Sequence, residues 1–441
     1  MKTMKRCPFK LIAFLSLSVL LSTAYAAEKE IQKTFTWKYN ISKDGKVTMD
    51  NYNCNLVIHT RDKGETELQL KIEADTRSDE DAAILEKYLQ ELVFSTSPSS
   101  VSFRSRFWEN RSSLMNRTTM KLEGGKSVTL NSFEMTAEMW IPAGCMFVLN
   151  SKYSRINMED FAGQLVLNLY NDNFYGGSVV SNAEITDKYG TIEFRDMKDI
   201  KANLYNSKLS AGNTGDLNIE SKYSRVNLAS CGKISSISYN DKYEIPKTGD
   251  VTFTSKYSDL KTESSGNIAL DMYNGTVIMK EIRDVKITSK YTEYQFYTTG
   301  RCTISTSYND KFTCGRLTSL TINESKYLTF RIGYLEESVE DRNCYNDSFT
   351  IAETGKDFSG LSLNGKYVTA SVTLHGSTSY HLKANIKYAD LNIDESSLKP
   401  IVKIIDGSDV KYDAIKGTES EGMPVIDLNG YQMTLNIPEL N

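Results

Sequence analysis

The stretch FVLNSKYSRINMEDFAGQLVLNLYN, Phe147–Asn171, carries the pattern that decides the fold. Lys152-Tyr153 follows Ser151, and Tyr170-Asn171 follows Leu169. Taking the residue before each such pair as an origin gives Ser151, Leu169, Asp187, Leu204, Ser221, Ser238, Ser255, Met272, Ser289, Ser307, Ser325 and Cys344, spaced by 17 to 19 residues. Lys-Tyr and Tyr-Asn alternate without exception along this series, and looser origins follow at Gly365, Ile386, Val410 and Gly430. A fixed period of this length is the signature of a repeat architecture.

Each unit repeats an apolar pattern around its origin. Positions −4 and −2 are apolar in most units, as in Phe147/Leu149, Leu165/Leu167 and Val251/Phe253. Position +5 is apolar or aromatic throughout, as in Ile156, Phe174, Ile192 and Leu260, and position +7 often joins it. Alternation with period two marks a strand with one buried face. The change from even to odd offsets places a corner at the Lys-Tyr or Tyr-Asn pair. Such a unit cannot bury its apolar face alone, so copies must stack. The expected fold is all-β: a parallel single-stranded β-helix, or β-solenoid, right-handed by the usual rule for parallel crossovers. About 16 coils at ~4.8 Å each give a length on the order of 75 Å. Ile304 and Ile322 sit at odd offsets before Ser307 and Ser325, so bulges or a slipped strand are expected there.

The organisation outside the repeats has three parts. Residues 1–26 read as a signal peptide: Lys2, Lys5, Arg6 and Lys10 precede the apolar LIAFLSLSVLL, and Ala24–Ala26 supplies a small-x-small cleavage site. Cys7 precedes that apolar core, so it is misplaced for a lipoprotein cysteine. No other run is long and apolar enough to span a membrane. Residues 27–139 read as an N-terminal β region and cap, in which Lys38-Tyr39 and Tyr52-Asn53 echo the repeat. Within it a helix is expected near 79–93, capped by Ser78, with Ile84, Leu85, Tyr88, Leu89 and Leu92 on one face. Arg106–Lys126 is polar and basic and is expected to be a mobile loop, with a ligand-binding loop as the alternative. Residues 140–441 are the solenoid.

Charge and cysteines narrow the functions. The leader removes four of 52 basic residues and none of the 56 acidic ones, leaving 48 − 56 = −8, which gives no electrostatic reason to expect nucleic acid as a partner. Six cysteines remain, without a CxxC pair, and His59, His375 and His381 are isolated, so neither a disulfide scaffold nor a zinc site is expected. Buried free thiols, or one or two bridges, fit better.

With its exported start, the segment MWIPAG (Met139–Gly144) and units such as Phe147–Asn171, the chain resembles the putative-adhesin β-helix families of Bacteroidetes, of the head-domain type. The resemblance covers most of the mature chain and lies in a degenerate pattern. It implies a β-helix in the cell envelope or on the surface, and it brings no functional residues.

The chemical motifs are absent: no GxSxG, HExxH, phosphate-binding loop or calcium nonapeptide array occurs. The YND triplets at Tyr170, Tyr239, Tyr308 and Tyr345 offer oxygens for a metal, but they fit turn chemistry better. No pair of carboxylates is marked as general acid and base, so no enzyme activity and no cofactor is expected. The remaining candidate is an outward ladder at position +1: Lys152, Tyr170, Lys188, Tyr205, Lys222, Tyr239, Lys256, Tyr273, Lys290 and Tyr308. Tyrosine between lysines relieves like-charge stacking and permits cation–π contact. The tyrosine at +2 is expected to fill the corner beside a small origin residue, so that volume at 0 and +2 compensates. The expected role is adhesin-like binding of a glycan or protein by a protein of the periplasm or cell surface. A periplasmic structural or signalling scaffold is the alternative, and a carbohydrate-active enzyme comes third.

Overall fold

The computed structural model describes residues 29–114, 117–376 and 378–438. The expected leader, with Cys7, lies outside the described residues. The chain divides into two compact units, one of residues 29–33, 72–92 and 108–134, the other of residues 34–71, 93–107 and 135–438.

The larger unit is a parallel β-solenoid. Each repeat supplies one strand that runs into the corner pair, such as Met146–Lys152 or Leu165–Tyr170, and one that leaves it, such as Arg155–Met158 or Asn173–Gly176. Each strand pairs in parallel with its counterpart in the next repeat, with Ser151 against Leu169 and Leu169 against Asp187. One repeat is therefore one coil. Strands entering the corner bury positions −4, −2 and 0, and strands leaving it bury +5 and +7. The returns are stacked as well: Phe161, Val179, Met197 and Thr214 form a ladder of single bridges, which gives the coil a third short side.

The chain-ordered coils, from the Ser151 corner to the Gly365 corner, make about 13 turns. Their irregularities fall near the expected places. The ladder slips between Ile287 and Thr288, where it faces Ile304 and Thr306, and again near Ser319 and between Asp341 and Cys344.

Both ends depart from simple counting. Lys46–Tyr52 and Asn55–Arg61 pair in parallel with Met146–Lys152 and Arg155–Met158, so Tyr52-Asn53 is the corner of a true coil. At the other end, spatial order differs from chain order. Val425–Asn436 lies between Gly360–Val372 and Tyr380–Asn392 and runs parallel to both. The Val410 origin is not a coil corner: Asp409–Lys416 runs antiparallel to both Tyr380–Asn392 and Leu398–Asp406. The cause is local. Gly407, at φ 60°, opens a two-residue turn before Asp409, and a turn that tight joins antiparallel strands only.

In the smaller unit the helix spans Asp79–Gln90, with the Ser78 side chain accepting from the Asp81 amide and Ala82, Leu85 and Leu89 buried. It ends three residues before the expected position. Arg106–Lys126 is not a loop. Trp108–Leu114 and Arg117–Leu122 pair antiparallel, and Arg117–Leu122 pairs onward with Ser127–Pro142. Thr118, Met120 and Leu122 alternate inward, a period-two pattern hidden among basic residues. The six cysteines of the described residues, Cys54, Cys145, Cys231, Cys302, Cys314 and Cys344, are all buried and free.

Candidate binding strip at the lysine–tyrosine corner

The corner is made by one backbone conformation. The residue at +2 has φ between 48° and 65° in every coil from Asn53 to Gln432, in the left-handed region. Asparagine holds it at Asn171, Asn206, Asn240, Asn274, Asn309 and Asn346, and tyrosine at Tyr153, Tyr189, Tyr223, Tyr257, Tyr291 and Tyr327. Asparagine tolerates this region, whereas a bulky side chain there is an outlier. The turn carries the +2 amide outward along the stack, where Tyr153 donates to the Tyr170 carbonyl at 3.1 Å and Asn171 to Lys188 at 2.8 Å.

The expected ladder stands at +1. Lys152, Tyr170, Lys188, Tyr205, Lys222, Tyr239, Lys256, Tyr273, Lys290 and Tyr308 pair one with the next in a single column. The lysines are exposed and the tyrosines half-buried or exposed. Lys152 Nζ lies 6.0 Å from the Tyr170 ring centre. Among the described residues none of the five lysines forms an ion pair, although Lys208 and Lys280 elsewhere on the solenoid do, with Glu193 and Glu263.

The tyrosines at +2 do not fill the corner. They are 40–52% exposed, more than the 36–38% of Tyr205, Tyr239, Tyr273 and Tyr345 at +1. The origin residues, by contrast, are buried, Ser151 and Leu169 among them. Positions 0 and +2 therefore share no volume, because the left-handed turn swings +2 to the outside. Inside the corner the partner of the origin is +3. Gly190 sits where a Cβ would lie 2.5 Å from the Asp187 carboxylate, and a Cβ on Gly275 would crowd Met272 Cε at 3.1 Å.

The rings from +1 and +2 merge into one column. From Tyr52 through Tyr153, Tyr170, Tyr189 and onward to Tyr367, Tyr431 and Tyr388, successive rings meet edge to face, with centroids 5.3–6.0 Å apart and planes crossed by 71–86°. This geometry explains the two-letter alternation. Coils lie ~4.8 Å apart, and tyrosines repeated at one position would stack as face-to-face sandwiches, the poorer arrangement. Taking the ring from +1 in one coil and from +2 in the next turns each ring against its neighbour. Partial burial, then the neighbouring Tyr239 and Tyr205, push the Tyr223 phenol above its ordinary value. The energies nearly cancel: a left-handed tyrosine costs about 1–3 kcal/mol, and two edge-to-face contacts return about 1–3 kcal/mol. Stability alone gives little reason to prefer tyrosine over asparagine at +2.

Beneath the rings runs a polar ladder. In many coils the +3 amide turns away from the sheet bonds and donates to the +3 side chain of the next coil. Cys54 donates to Ser154 Oγ, Ser154 to Asp172 Oδ1 at 2.7 Å, Ser207 to Ser224 Oγ, Ser224 to Asp241 Oδ1 and Thr292 to Asp310 Oδ1. An unpaired buried amide would be costly, which accounts for small polar residues at +3. Asp172, Asp241, Asp310 and Asp347, the last residues of the YND triplets, are acceptors in this ladder and are buried. Burial raises Asp172 to about 6 against three hydrogen bonds that lower it. Asp341, Cys344 and Asp347 converge within 4.8 Å. There Ser325 Oγ lies 2.7 Å from Asp341 and 2.6 Å from Asp347. A hydroxyl has one proton to donate, so this geometry favours a protonated carboxyl that donates to Ser325. Burial, then the neighbouring Asp347, raises Asp341 to about 7.

No family model matches the chain, and no curated protein does. Among solved structures it is similar to a putative adhesin from Bacteroides fragilis, at 12% identity and a TM-score of 0.26 over 63% of this chain and 97% of that one. It is also similar to a putative cell adhesion protein from Clostridium sporogenes, at 10% identity and a TM-score of 0.16 over 92% and 99% of the two chains. At these scores neither decides the function.

Proposed function

We propose that this is an exported β-helix of the cell envelope that binds a glycan or protein along its lysine–tyrosine corner, without catalysis. The observation that carries the reading is the uninterrupted column of solvent-facing tyrosine rings flanked by unpaired lysines. Exposed aromatic rings gathered on one surface are characteristic of recognition sites, and the lysines between them add charge for a ligand to meet. The flat, repeating form of the strip suits a long ligand better than a compact one.

Replacing Tyr205, Tyr239 and Tyr273 together by serine is expected to abolish binding on glycan and protein arrays while the far-ultraviolet spectrum stays that of the parent. Loss of the spectrum would assign these rings to folding. Protease shaving of intact cells tests placement: complete protection would refute a surface role and favour a periplasmic scaffold. Cleavage products from a polysaccharide panel would refute the non-catalytic reading.

A further inference from the structure

The strip has a chemical repeat of two coils, not one. Lys188, Lys222 and Lys256 occupy equivalent places in every second coil, with Tyr205 and Tyr239 at the same position between them. The rings have the same repeat in origin: they come alternately from +1 and +2, each crossing its neighbour at 74–83° in this section. Cations thus recur at about 10 Å, twice the ~4.8 Å strand spacing.

The cations are free to act on a ligand. Lys188, Lys222 and Lys256 are exposed and form no ion pair among the described residues. With Tyr205, Tyr239 and the 61%-exposed Ile237 they line one shallow groove, in which Glu220 is the single carboxylate. Arg225 and Lys242 add exposed cations on the strand that leaves the corner. This basic section stands on a chain whose overall balance is acidic.

We infer that the corner binds an extended anionic polysaccharide carrying one negative charge on every second sugar. This rests on the proposed reading of the strip as a binding surface. In such a polymer each charged sugar meets a lysine, and each uncharged sugar lies over the tyrosine between, its C–H face against a ring. An extended sugar chain advances by nearly one coil spacing per residue, so the match continues from coil to coil. A polymer charged on every sugar would set half of its anions against tyrosine.

The test compares hyaluronan (one carboxylate per disaccharide), polygalacturonate (one per sugar), a neutral soluble β-glucan, single-stranded DNA and polyglutamate, by titration against the full chain at two salt concentrations. Hyaluronan is expected to bind at least tenfold tighter than each of the others. Lys188→Gln/Lys222→Gln/Lys256→Gln, checked for an unchanged melting curve, is expected to lose at least tenfold and most of the salt dependence. Equal or tighter binding of polygalacturonate, DNA or polyglutamate overturns the charge spacing. Neutral glucan bound at the strip, with the lysine variant unaffected, overturns the charge inference and leaves the strip reading standing. If no probe binds and the tyrosine triple variant leaves cell adhesion unchanged, the strip reading itself fails.

Discussion

Tyr223 and Tyr239 touch each other and face the same solvent, yet only Tyr223 holds a left-handed backbone. The two should therefore respond differently to mutation. Tyr223→Asn removes two ring contacts but relieves the backbone, so its unfolding free energy should stay within about 1 kcal/mol of the parent. Tyr239→Ala loses its contacts with no relief and should cost about 1–3 kcal/mol. Denaturant melts of the two variants check the asymmetry, and equal losses would refute the strain account. The buried carboxyls give a second outcome at this scale. Asp172, Asp341 and Asp347 titrate above their ordinary 3.8, at about 6, 7 and 6. The native state then binds more protons than the unfolded chain between about 4 and 7, so stability falls as pH rises through that window. The thermal midpoint is expected to drop from pH 5 to pH 7.5, and Asp341→Asn should flatten the slope. A midpoint that rises over this range would refute it.

Among the elements, what was legible in sequence was whatever obeyed a period. The coil, its corner and the strand faces follow from Ser151, Leu169 and their successors, because burial on one side of a strand writes itself into every second residue. The +1 column was legible for the same reason. The outward swing of Tyr153 was not, since tyrosine gives no local sign that it will accept a left-handed backbone and its neighbour Ser151 made corner filling look natural. The amide ladder left a trace in Ser154, Asp172, Ser224 and Asp241. Its meaning needed the structure, because the acceptor for these amides lies a coil away. The hairpin at Trp108–Leu122 was masked by arginines and lysines on its outward positions, and the reversal at Gly407 by a Lys411-Tyr412 pair that imitates a corner.

For the whole molecule, the two-coil repeat predicts which deletions are tolerated. Removing Ser221–Thr254, two coils of 17 residues each, sets the Leu204 coil against the Ser255 coil and preserves the alternation. Removing only Ser238–Thr254 sets Lys222 beside Lys256 and one left-handed tyrosine beside another. The first variant should melt within a few degrees of the parent. The second should melt well below it, because like charges and face-to-face rings are brought together. Scanning calorimetry distinguishes them, and equal midpoints would show that the alternation has no structural role.

The strand Val425–Asn436 is the last described strand in the chain, but it is not the outermost strand in space. It fills a slot between Gly360–Val372 and Tyr380–Asn392, which have no parallel ladder with each other without it. From the Ser151 corner to the Gly365 corner, spatial order follows chain order. Beyond that point the strand made later must enter between two made earlier, so completion waits for the final segment. The stack is therefore complete only once Val425–Asn436 is in place between its two neighbours.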